Sequence, residues 1–92
     1  MSTITVEQPD NERLEELGVE SWPTLSMQAC DIDWVFDQTE QSYFLEGRVI
    51  VETRDGRMVE VQKGDLAVFP KGLACTWHII EPMHKHFRLT DG

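Results

Sequence analysis

The chain has 92 residues and a formal net charge of −9, from 17 acidic and 8 basic side chains. That length holds one hydrophobic core, not two, and the acidity argues against a surface built for nucleic-acid phosphates or anionic membranes. With 40% hydrophobic residues, three Trp, four Phe and one Tyr, the composition is that of a small globular domain with an aromatic core.

No apolar run approaches the length of a membrane span. The segment Met1 to Glu7 lacks both a basic region and an apolar region, so it does not read as a signal peptide. A cytoplasmic protein is expected, with Cys30 and Cys75 as free thiols rather than a disulfide. A chain this small is only marginally stable alone, so a homodimer is the expected state.

In chain order, Ile4 and Val6 alternate with polar residues and suggest a short strand. Pro9 to Leu17 reads as a short helix, with Pro9 or Asp10 at its start, Gly18 as its C-cap, and Leu14 and Leu17 on the docking face. After Trp22-Pro23 the pattern changes to strands: Leu25 to Cys30, Asp31 to Phe36, and Gln41 to Leu45. A break at Glu46-Gly47 precedes Arg48 to Thr53. Asp55-Gly56 between two β-rich runs signals a hairpin, with Met58 to Gln62 as the return strand. Leu66 to Phe69 is a short buried strand, begun by the turn residues Gly64-Asp65 and ended by Pro70. Leu73 to Ile80 and Met83 to Leu89 complete an all-β barrel or sandwich. The expectation is a single domain over 1–92, with an N-terminal arm and helix over about 1–21 and a β-barrel over about 22–90.

Gly64, Pro70 and Gly72, followed by Cys75, resemble the second motif of the cupin superfamily, in which a His stands at the Cys75 position. Ile79 takes the place of that motif's Asn. Glu40, six residues and Gly47 match the tail of the first motif. Trp34, Cys75-Thr76-Trp77 and the Glu81-Pro82 to His86 stretch extend the likeness, which looks like the small single-domain (RmlC-like) cupins named after the ureidoglycine aminohydrolase cupin domain. The resemblance implies a double-stranded β-helix barrel with a jelly-roll-like topology. It also implies metal-assisted hydrolytic release of ammonia, through a His-x-His pair, the Glu and the second-motif His.

The residues at those ligand positions are different. The His-x-His pair would fall at Trp34 and Phe36, or at Asp33 and Val35, none of them His, which leaves Glu40 and Cys75 unless Asp33 or a distant His joins them. A transition-metal site usually needs three or four ligands, so no cofactor is expected; if a divalent metal binds, Glu40 and Cys75 are its ligands. His84 and His86 share one strand face, and His78 has the opposite parity to Cys75 and Trp77, which directs it away from the interior.

The expected function is binding of a small molecule, with or without catalysis, inside the barrel. Glu40 and Cys75 would be the catalytic or polar groups, and Trp34, Tyr43, Phe44 and Trp77 the pocket walls. A non-catalytic ligand-sensing or dimeric structural module is the alternative from another class. No nucleic-acid or membrane partner is expected.

Overall fold

A computed structural model describes residues 3–90. The N-terminal segment forms β1 (Thr5–Glu7), the short strand expected there, which pairs with a later strand. Helix α1 (Asn11–Leu17) starts where the Asp10 side chain accepts a hydrogen bond from the Arg13 backbone N–H at 2.9 Å. It ends at Gly18, whose φ of 69° is the left-handed conformation glycine takes most easily. A 3-10 turn follows, Val19–Ser21. Leu14 and Leu17 pack against Val19, Trp22, Leu66 and Tyr43, which fixes the helix to the outside of the sheet.

The remaining strands are β2 (Thr24–Met27), β3 (Cys30–Val35), β4 (Thr39–Thr53), β5 (Met58–Gln62), β6 (Leu66–Phe69) and β7 (Ala74–Thr90). The described residues form one antiparallel sheet in the order β1-β6-β4-β7-β2, with β3 also on β7 and β5 also on β4. Long strands β4 and β7 pair along most of their length, from Thr39↔Thr90 to Thr53↔Cys75, and each carries two sets of neighbours. That arrangement curls the sheet around one interior.

Two expected strand breaks are replaced by continuous strands. The run through Glu46-Gly47 does not end β4. It is a register irregularity between Phe44 and Val49, across which the buried positions change from Glu40, Ser42 and Phe44 to Val49, Val51 and Thr53. An inserted residue bends a strand and switches its inward parity without ending the ladder. Opposite it, Pro82 lies in the middle of β7, where its missing N–H costs no β4 pairing. Gly47 is required there: its φ is 94°, and a Cβ would come within 2.5 Å of the Pro82 carbonyl oxygen.

The interior is aromatic. Phe36, Phe44, Phe69 and Trp77 are buried together with Val49, Val51, Val61, Leu73 and Ile79. Phe36 stacks on Phe69 at 5.0 Å between ring centroids, and Trp34 stacks on Trp77 at 5.4 Å.

Candidate functional site

The first half of β4 points Glu40, Ser42 and Phe44 inward, because every second residue of a strand faces the same side. The second half of β7 does the same with Met83 and Lys85. Since Ser42 pairs with Phe87 and Phe44 with Lys85 in the ladder, these inward side chains meet. Lys85 is 0% exposed, Ser42 0% and Glu40 5%.

The three form a connected polar cluster. Lys85 Nζ donates to Glu40 Oε2 at 2.6 Å and to Ser42 Oγ at 3.3 Å, and the Ser42 hydroxyl donates to the same Glu40 Oε2 at 2.6 Å. Around the ammonium stand four rings: Trp77 at 4.6 Å from Nζ to centroid, Phe44 and Phe87 at 5.8 Å, and Trp34 at 5.9 Å. Aromatic faces attract a cation, more so when it is desolvated. Burial pulls the Lys85 ammonium below its ordinary range, and the Glu40 charge and hydrogen bond oppose that pull.

A recess of about 300 Å³ opens beside this cluster; Leu25, Trp34, Val35, Phe36, Phe87 and Leu89 give it a mainly apolar wall, and Glu40, Asp37 and Gln38 are its polar groups. Glu40 is the buried charged group on its wall. Both hydrogen bonds the carboxylate receives from described residues fall on Oε2, leaving Oε1 available to a ligand.

Of the residues singled out in the sequence, Glu40 and Trp34 border this recess. Phe44 and Trp77 are fully buried, behind the wall rather than on it. Tyr43 does not line the interior. It has the outward parity of β4 and packs with Leu14, Leu17 and Trp22 under the helix, beside a separate cleft of about 580 Å³. Cys75 is also absent from the recess wall; its thiol is buried and reaches the Trp34 carbonyl at 3.8 Å. Burial pushes the Cys75 thiol up, partly offset by the nearby Trp77 indole N–H and by Arg54. That indole N–H makes no hydrogen bond of ordinary geometry, although it is buried.

The histidines lie on the outer face. His78 bridges Asp31 and Glu52 at 3.0 Å each, and those two hydrogen bonds, Glu52 first, raise its pKa. His86 Nδ1 meets the Trp22 carbonyl at 3.0 Å, which makes that nitrogen the protonated one. Of the two alternative His-x-His positions, Trp34 and Phe36 carry the inward side chains, while Asp33 and Val35 are exposed. Among the described residues, no three of His, Cys, Asp and Glu come together as a metal-ligand set. The one inward carboxylate at a ligand position is already paired with an ammonium, so the side chains present do not fit a cupin-type metal.

The group missed in the sequence is Lys85. Its signal was present: if His84 and His86 face outward, the residue between them faces inward. Its charge made an exterior position the ordinary assumption.

Barrel topology, turn glycines and an inward glutamate define a cupin. Residues 14–87 match the family model of the EutQ-like cupin domain, and the chain belongs to that family. It is 44% identical to a DUF861-family protein of Thermotoga maritima, with a TM-score of 0.94 over 96% of this chain and 100% of that one. A putative ethanolamine utilization protein Q of Salmonella typhimurium is 18% identical, with a TM-score of 0.67 over 74% of this chain and 55% of that one. The EutQ protein of Clostridium difficile is 21% identical, with a TM-score of 0.65 over 94% of this chain and 66% of that one. These two likenesses concern the fold. Comparison with curated proteins gave no match. No helix among the described residues is long and apolar enough to cross a membrane.

Proposed function

We propose that this cupin binds a small organic molecule in the recess at Glu40, with Lys85 against the carboxylate in place of the metal that the sequence resemblance implies. The observation that carries this reading is the Glu40 carboxylate, held on one oxygen by Lys85 and Ser42 while it borders a mainly apolar, partly aromatic recess. An apolar pocket with a few fixed polar groups is the usual form of a small-ligand site. Glu40 Oε1 selects a ligand that offers an N–H or O–H donor, and Trp34, Phe36 and Phe87 select a flat apolar body.

The test is an NMR titration with three probes: benzylamine, benzyl alcohol and benzoate. The first two are expected to shift the Trp34 indole signal, and benzoate is not. Glu40→Gln should weaken benzylamine binding about tenfold, the loss of one charge-assisted hydrogen bond. Three silent titrations, or equal responses to all three probes, would remove the reading.

Ureidoglycine aminohydrolase-type chemistry is the finer possibility raised by the sequence resemblance. It would require a metal set that Trp34, Phe36 and Cys75 do not supply, and ammonia release from ureidoglycine is its direct assay. We also propose a cytoplasmic homodimer. The small core and the exposed Met58 and Ile80 support the dimer, and sedimentation equilibrium tests it.

A further inference from the structure

In the binding function the Lys85 amine holds Glu40 Oε2, and its surroundings also have the features of a reactive amine. We propose that Lys85 forms a covalent imine with a small aldehyde that enters the recess, with Glu40 carrying the protons. The inference rests on the recess being the ligand site.

Placement is the first argument. Lys85 does not itself line the recess, but three of the wall residues surround its nitrogen: Glu40 at 2.6 Å, with the Phe87 and Trp34 ring centroids at 5.8 and 5.9 Å. The amine therefore lies directly behind the wall, and the Glu40 side chain must turn aside for a carbonyl carbon to reach it. Environment is the second. Desolvation is what favours the free amine of a buried lysine, and Lys85 is 0% exposed with its pKa lowered by burial, against the opposing pull of Glu40. Lys63 and Lys71, the other lysines in the chain, are both exposed.

The proton balance closes within the pair. Glu40 takes a proton from the ammonium, and the neutral amine attacks the carbonyl carbon, forming the C–N bond. The Glu40 carboxyl returns its proton to the carbonyl oxygen, giving the carbinolamine. Glu40 then removes a second proton from nitrogen and delivers it to the departing hydroxyl, so that the C–O bond breaks and water leaves. The product is an iminium cation beside a Glu40 carboxylate. It keeps the positive charge that the carboxylate and the four rings already stabilise in the resting protein.

The experiment uses the intact protein, benzaldehyde and cyanoborohydride at pH 7, followed by peptide mass spectrometry. Burial lowers the Lys85 pKa and so favours its free amine; Lys85 is therefore expected to be benzylated faster than Lys63 or Lys71. Glu40→Gln removes a charge that raises the Lys85 pKa, yet should slow labelling at Lys85 because the proton carrier is lost, leaving the two exposed lysines unchanged, and Lys85→Arg should abolish the fast site. Labelling of Lys85 no faster than Lys63 and Lys71, or none at Lys85, overturns the proposal. A parallel titration with benzyl alcohol separates the two readings. Binding of the alcohol without fast labelling leaves the recess as a ligand site and rejects the imine, whereas absence of binding rejects the recess itself.

Discussion

Replacing Lys85 by Met removes the ammonium but keeps an apolar stem of similar length. The variant leaves Glu40 with the Ser42 hydrogen bond and no cation. Breaking a buried ion pair on one side typically costs about 3–5 kcal/mol. Glu40 borders the recess, where water can solvate it, which places the expected loss near the lower end, about 3 kcal/mol. With a urea m-value of roughly 1.5 kcal/mol/M for a chain of this size, the midpoint should fall by about 2 M at constant m. The double variant Glu40→Met with Lys85→Met removes both charges and leaves only the Ser42 hydroxyl unpaired, a residual cost of about 1 kcal/mol. It should therefore be more stable than Lys85→Met alone. Urea unfolding followed by Trp fluorescence gives all three midpoints. A single variant as stable as the parent, or a double variant less stable than the single, would refute the claim that the pair is coupled in a dry interior.

Gly47→Ala is expected to cost more than about 2 kcal/mol, because φ is 94° and the new Cβ meets the Pro82 carbonyl at 2.5 Å. Gly56→Ala has a similar φ of 88° with nothing within 4 Å, and should cost only about 1 kcal/mol; equal losses in chemical denaturation would contradict the steric account. His78 has its pKa raised by Glu52 and Asp31. Its folded value therefore lies above its unfolded value, and the stabilisation is fully present below about pH 6.5 and lost as pH rises through the folded value. NMR titration of the imidazole should show its pKa falling in Glu52→Gln, and an unchanged value would remove Glu52 as the main cause. Exposed Cys30 should react rapidly with a thiol reagent at neutral pH, while buried Cys75 reacts only after unfolding; equal rates in the native protein would contradict the burial of Cys75.

Local signals carried most of the element assignments. Met58 to Gln62 and Leu66 to Phe69 form strands with the bounds their alternation and turn residues indicate. Asp10 and Gly18 cap the helix because a short carboxylate and a Cβ-free residue satisfy helix ends locally. Strand continuity at Gly47 and Pro82 could not be read the same way. Both residues are ordinary strand breakers taken singly, and they are tolerated in midstrand only because each faces the other's irregularity. Tyr43 lies before the bulge, three positions after the inward Glu40, so simple alternation already directs it outward; only its aromatic character suggests the interior.

The sequence by itself determined an all-β cupin barrel, a glutamate at the carboxylate position and the loss of the histidines beside it. Those are properties of residue type and spacing. Only the tertiary structure decided what replaced the missing chemistry. Glu40 and Lys85 lie forty-five positions apart, and nothing local distinguishes Lys85 from an exposed lysine between two histidines. Their meeting depends on the register of β4 against β7, set by the bulge and by ladder pairing along both strands. The same register surrounds the ammonium with rings from β3, β4 and β7.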